Sequence, residues 1–198
     1  MAANPSDAQR HFYSLDEYFA LEHAGDARYE YWDGEIFCMS GGSLAHGIIA
    51  TNIIQCLGRK LAGTGCRAFT GDTAIKTATL PPYRYPDASI VCGETRVENI
   101  RGVDALLNPV LIVEVTSPTT ELRDLGDKRR AYQQIATVQQ YLIIAQQSAS
   151  VIDFRRGPDR MWVSFGEHTG LGDGVRLVAV DDVLSLGEIY EGVTFTAG

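Results

Sequence analysis

The stretch "VLIVEVTSPTT", residues 110–120, runs four apolar residues into a single carboxylate, Glu114, and then breaks at Ser117-Pro118. Burying an unpaired charge costs several kcal/mol or forces a large pKa shift. Glu114 therefore needs a basic neighbour, a metal ion or an exposed strand end. Asp87 opens another strand-like stretch directly after Pro86, 27 residues upstream of Glu114. If the two strands are neighbours, the two carboxylates can converge, and they repel unless a cation sits between them or one takes a proton. Hard oxygen ligands without paired cysteines or several histidines suit Mg²⁺ or Mn²⁺ rather than zinc. Further on, Asp124, Lys128 and Tyr132 are spaced i, i+4, i+8 and form one helical stripe. A lysine there could reach the end of the Glu114 strand. Beside a bound metal it could orient or deprotonate water and offset charge in a phosphoryl transition state. The chain has only three lysines, Lys60, Lys76 and Lys128, against fourteen arginines, so a mechanism that needs a lysine has few candidates.

Each residue also has an ordinary role open to it. Asp87 could bond a loop amide at a strand start, Glu114 could pair with an arginine, and Lys128 could be solvated. Asp124 and Lys128 could be a surface pair worth a few tenths of a kcal/mol, and Tyr132 could pack its ring and find one hydrogen bond. His46 divides between a site member and a helix-cap or core histidine. Glu30, on a hairpin strand, has Arg28 and Arg67 as ordinary partners. Asp72 in "TGDTAIK" reads as structural. The basic turn "RRGPDR", residues 155–160, could touch phosphate or simply be a solvated hairpin end.

The elements that must position these groups are legible in outline. Ser14 to Glu17 fits a capping box for a short first helix, and "RYEYWDGEIFCM" alternates about Asp33-Gly34, with strands at 28–32 and 35–39. Ser43 caps a helix to about residue 62, with Ile49, Ile53, Leu57 and Leu61 on one face and His46 in its first turn. Residues 68–76 read as a strand, 87–91 as a short strand, and the stretch to about 107 as a loop or short helix. Val110 to Val115 is the apolar strand, with Val110, Ile112 and Glu114 on one side. A helix over 121–136 follows, with Leu122, Leu125, Tyr132 and Ile135 as apolar markers. "QQYLIIA", "SASVIDF", "MWVSF" and "VRLVAV" read as strands, and "LSLGEIY" as a short closing helix. The pattern is α/β, a mixed central sheet flanked by helices, in one domain over residues 1–198 with no linker to split it.

The bulk numbers bound the function. No apolar run approaches a membrane span, and the N-terminus lacks a secretion-signal pattern. The four cysteines, Cys38, Cys56, Cys66 and Cys92, are scattered without a CxxC pair and read as reduced core thiols in a cytoplasmic protein. The net charge of −8 is opposite to the usual basic surface of a nucleic-acid binder, so any such role rests on a local patch or a metal site.

Taken together, "YPDASIV", "LIVEVTSPTT", "DLGDKRRAY" and "VQQYLII" resemble the Uma2-type endonucleases, a branch of the PD-(D/E)XK restriction-endonuclease-like superfamily. The upstream "YEYWDGEIFCMSGGSLAHGIIATNI" resembles the same family's N-terminal pattern, and the similarity spans about residues 14–190. The resemblance implies a restriction-endonuclease-like fold with an N-terminal hairpin and extra C-terminal strands. It implies Asp87 and Glu114 as metal ligands, with the main-chain carbonyl of Val115 as a further one, and Lys128 as the catalytic lysine. His46 and Glu30 match recurrent family positions. The superfamily lysine usually sits two residues after the glutamate, where this chain has Thr116, and Gln140 stands where an acidic residue is expected.

The sequence thus points to a Mg²⁺- or Mn²⁺-dependent phosphodiester hydrolase acting on nucleic acid, expected to be DNA. Asp87, Glu114 and Lys128 are its catalytic residues, and His46, Glu30, Asp124 and Tyr132 support them. A homodimer is expected, because enzymes that cut both strands often pair two active sites. The rivals are a nuclease-fold binding module without catalysis, which predicts no divalent-ion binding, and a metal-dependent hydrolase of a small phosphoester, which predicts ion binding without DNA cleavage.

Overall fold

The computed structural model describes residues 11–25, 27–38, 42–117 and 121–195, in two compact units that meet in sequence at Gly41 and Gly42. In the first unit, α1 (Leu15–Ala24) begins on Ser14, whose hydroxyl accepts from the Glu17 N–H while the Glu17 carboxylate accepts the Ser14 N–H at 2.7 Å. This is the expected capping box. An antiparallel hairpin follows, β1 (Tyr29–Trp32) and β2 (Glu35–Cys38). It turns on Asp33 and Gly34, both at positive φ (46° and 91°), as a two-residue hairpin turn of right-twisted strands requires. Met39, assigned to the second strand from sequence, lies outside the described residues.

The second unit opens with α2 (Leu44–Lys60), capped by Ser43. Its buried face is Ile49, Ile53 and Leu57, continued by Leu61 just past its end. Next come β3 (Cys66–Thr70), β4 (Ala74–Lys76), β5 (Tyr83–Arg84), β6 (Ala88–Cys92), β7 (Val97–Ile100), β8 (Val103–Leu106) and β9 (Pro109–Thr116). A helical crossover follows, built of α3 (Glu121–Arg123), a π-helical turn over Asp124–Lys128 and α4 (Arg129–Gln133). The chain ends through β10 (Gln140–Ala145), β11 (Ser150–Arg156), β12 (Trp162–Thr169), β13 (Gly174–Leu177), β14 (Asp182–Ser185) and α5 (Leu186–Ile189).

Six strands form the main sheet in the order β12-β11-β10-β9-β6-β3. Among the described strands of this sheet only β9 and β10 are parallel neighbours, and the helical crossover joins them, as parallel strands require. β9 lies near the middle of the sheet with seven of its eight residues buried, which explains its near-continuous apolar run. One face carries Leu111, Val113, Leu142 and Ile144 under α2; the other carries Ile112, Tyr141 and Ile143, with Tyr132 of α4 packed against them. A second, four-stranded sheet runs β5-β4-β8-β7.

Several expectations are corrected. Residues 68–76 are not one strand: the chain turns after Thr70, and β3 and β4 enter different sheets. The stretch to residue 107 is neither loop nor short helix but the β7–β8 hairpin, which turns on Arg101 and Gly102 at positive φ. The helix of 121–136 ends at Gln133 and is interrupted by the π turn. Leu122's side chain and Pro118 lie outside the described residues. Val110 packs with the α2-side cluster rather than beside Ile112, because the β6–β9 register shifts between Ile90 and Val91. The tail strand stops at Leu177, and β14 pairs with it. The cysteines are not all free thiols. Cys66 and Cys92 form a disulfide across β3 and β6, because the register sets them directly opposite; the buried Cys56 is a free thiol.

Candidate functional site

Asp87 and Glu114 are set by one strand pair. The antiparallel register of β6 and β9 pairs Ala88 with Val113, so the residue before Ala88 lies opposite the residue after Val113. Asp87 just precedes β6, and its side chain is fixed at both oxygens. Oδ2 accepts the Val115 N–H at 2.6 Å, and Oδ1 lies 3.0 Å from His46 Nε2. His46 reaches it from the first turn of α2, where its own N–H is taken by Ser43 Oγ at 3.1 Å. The hydrogen bond to Asp87, with that carboxylate's charge, raises the His46 pKa above its ordinary value; burial opposes the rise. The charges of Lys128 and Asp124 act on the same imidazole in opposite directions.

Glu114 is 3% exposed, so it does not sit at an exposed strand end. Its partners come from the crossover. Lys128 Nζ lies 3.2 Å from Oε2, and the Tyr132 hydroxyl donates to Oε1 at 3.0 Å. Lys128 Nζ is also 3.3 Å from Asp124 Oδ1. The angle there does not make a hydrogen bond, and Oδ1 has no hydrogen-bond partner; the contact is an ion pair only. Tyr141 holds the same turn by donating to the Asp124 carbonyl at 3.0 Å, and burial raises its phenol well above the ordinary range. Lysine is rarely fully buried unless paired, and Lys128 is 5% exposed. It is therefore no solvated helix residue, nor is Asp124–Lys128 a surface pair.

The site thus holds two linked clusters, Asp87–His46–Val115 and Glu114–Lys128–Asp124–Tyr132. Among the described residues, no group of three or more His, Cys, Asp or Glu side chains is placed to hold a metal ion. Glu30 lies on β1 of the first unit, where its carboxylate accepts from Trp32 Nε1 at 3.2 Å. Thr116 is buried, and its hydroxyl donates to the Ser117 carbonyl at 3.3 Å. Gln140 is fully buried: its amide nitrogen donates to Asp153 Oδ1 and to the Arg176 carbonyl, and its oxygen accepts the Val178 N–H. In that position it clamps the C-terminal hairpin to the sheet. Sequence reasoning missed the Val115 N–H as the group that holds Asp87, because main-chain donors carry no residue signal.

The model of the Uma2 family, described as "Putative restriction endonuclease", matches residues 15–179. The chain belongs to the Uma2 family. Two relatives of this Uma2 chain from Synechocystis sp. (strain ATCC 27184 / PCC 6803 / Kazusa) carry only the names "Uncharacterized protein slr1290" and "Uncharacterized protein sll1609". The first is 28% identical over 182 residues, covering 92% of this chain and 93% of that protein. The second is 28% identical over 147 residues, covering 74% and 82%. A crystal structure of a "putative nuclease belonging to DUF820" from Anabaena variabilis ATCC 29413 matches with a TM-score of 0.65 at 16% identity, over 85% of this chain and 93% of that one. That likeness shows the fold alone: this Uma2 protein shares the mixed α/β fold of the DUF820 protein. No helix among the described residues is long and apolar enough to cross a membrane.

Proposed function

We propose that the protein is a Mg²⁺- or Mn²⁺-dependent phosphodiesterase acting on DNA, with Asp87, Glu114 and Lys128 as its catalytic residues. The observation that carries this reading is the β6–β9 register, which opposes Asp87 and Glu114, together with a buried lysine bonded to Glu114. The donor set fits such an ion. Mg²⁺ is commonly held by one or two carboxylates, with waters and substrate phosphate completing its shell, so two carboxylates from paired strand positions suffice without a third side chain. Asp87, Glu114 and the Val115 carbonyl would hold it. The ion would lower the pKa of a bound water and polarise a phosphoryl oxygen.

The chain's own residues do the rest. The Val115 N–H and His46 fix the Asp87 carboxylate in place. Tyr132 fixes one Glu114 oxygen. Lys128, on the other oxygen, brings a positive charge to the site where it can orient water and offset charge developing on phosphate. In this reading the lysine expected at Thr116 is replaced by one from the crossover. Two copies, each with one site, would cut both strands. A second reading, a binding module without cleavage, draws on one observation: both carboxylates already accept from protein donors.

The test is cleavage of supercoiled and linear DNA with Mg²⁺ or Mn²⁺ by the wild type, Asp87→Ala and Lys128→Ala, with calorimetric titration of the metal alone. Cleavage by the wild type and loss in both variants is the expected result. Cleavage that survives both substitutions sinks the site, and absence of both cleavage and metal binding favours the binding module.

A further inference from the structure

The net charge is −8, yet residues 123–160 hold seven basic residues against four acidic ones, and the rest of the chain holds ten against twenty-one. That basic segment is the crossover bearing Lys128, then β10, β11 and the turn after β11. Part of its charge is paired, Arg130 with Asp127 and Arg155 with Asp153. Three guanidinium groups, those of Arg129, Arg156 and Arg160, have no carboxylate partner among the described residues.

Two of the three lie over aromatic rings. The Arg129 guanidinium carbon sits 4.7 Å from the centre of the Phe154 ring. Arg156 donates to the carbonyls of Gln133, Ile135 and Ala136, with its guanidinium 5.1 Å from the Trp162 ring. The Nε of each is buried without a hydrogen-bond partner. Arg160 is exposed in the turn at φ 65°. Burial and then the Arg160 charge lower the Arg156 pKa, as expected where like charges meet without an anion between them.

The row begins beside the proposed site. Arg129 follows Lys128 directly. The Tyr132 ring, whose hydroxyl bonds Glu114, lies 5.7 Å from Tyr141, and Tyr141 lies 6.4 Å from Phe154, the ring under Arg129. β11 is two strands from β9, about 10 Å across the sheet, and Arg156 lies about 13 Å further along it than Ile152, the residue level with Glu114. The cations run from α4 to the end of β11 and its turn rather than gathering in a pocket, which suits a linear polyanion better than a small phosphate. Planar guanidinium groups stacked on rings lose little freedom on binding phosphate oxygens.

We propose that Arg129, Arg156 and Arg160 form the surface that takes the phosphodiester backbone of nucleic acid as it leaves the Glu114–Lys128 cluster. This rests on the nuclease reading and adds where an acidic protein grips its substrate.

The test is fluorescence anisotropy with labelled duplex DNA, single-stranded DNA and duplex RNA in EDTA, where no turnover occurs, over a range of NaCl concentrations. Arg129→Gln and Arg160→Gln should each lower the slope of log affinity against log salt by about one, since each removes one phosphate contact. Arg176→Gln, which removes a guanidinium already paired with Asp181, should leave the slope unchanged. If Arg129→Gln does not fold, Arg160→Gln and Arg160→Glu carry the test, since Arg160 lies exposed in a turn. Wild-type binding whose slope survives these substitutions overturns this surface alone. A wild type that binds none of the three nucleic acids overturns the nucleic-acid reading and this surface with it.

Discussion

Lys128 and His46 carry the site's positive side, and they differ in kind. Lys128 is buried against two acids, Glu114 and Asp124, so its charge is part of the folded state rather than a surface ornament. Removing one partner of a buried pair commonly costs about 3–5 kcal/mol, which is why cleavage by Lys128→Ala must be compared at matched folded fraction. His46 titrates. Its pKa is raised by the Asp87 hydrogen bond, so its contribution to stability is complete below the ordinary histidine value and is lost as pH rises through the raised one. In EDTA, the melting temperature of the wild type should therefore fall across that window more steeply than that of His46→Ala. Equal slopes in the two proteins would show that the pair adds nothing to folding.

At the scale of the element, the crossover turns on its π-helical segment. Asp124 to Lys128 form a widened turn between α3 and α4, and such turns often occur at functional positions. Here it presents Asp124 and Lys128 to each other, while α4 brings Tyr132 onto Glu114. Gly126 lies within the turn; a Cβ there would meet nothing within 4 Å, and its φ is not positive. Glycine inside a helix costs about 0.5–1 kcal/mol relative to alanine. Gly126→Ala should therefore raise the urea midpoint with an unchanged slope. A lowered midpoint would mean that the turn needs glycine's freedom.

Across the whole molecule, the disulfide bridges residues 26 apart and ties the outermost strand, β3, to β6, the strand that Asp87 precedes. Closing a loop of that size stabilises a fold by about 3 kcal/mol in the chain-entropy account. Cys66→Ser with Cys92→Ser should lower the melting temperature measured without reductant, and dithiothreitol should lower the wild type to the same value. A wild type indifferent to reductant would show that the bridge contributes no stability.

Local and compositional features are legible in contiguous residues. The capping box of α1, the Asp33-Gly34 hairpin, the apolar face of α2 and the buried run of β9 are each written in contiguous residues, because caps, turns and periodicity act over a few positions. The family pattern was equally legible, since "YPDASIV" and "LIVEVTSPTT" are short and specific. Tertiary structure alone decided what faces what. The opposition of Asp87 to Glu114, the bridge between Cys66 and Cys92, and the division of residues 68–76 between two sheets are matters of strand register and sheet membership, set by packing between segments far apart in the chain. The burial of Lys128 against Glu114 is of the same kind. Helical spacing puts Lys128 on one stripe with Tyr132, but only the crossover between the parallel strands β9 and β10 lays that stripe over the carboxylate. A lysine's charge is visible in sequence; the dry, paired setting that gives the charge its strength exists only once the sheet and the crossover have closed around it.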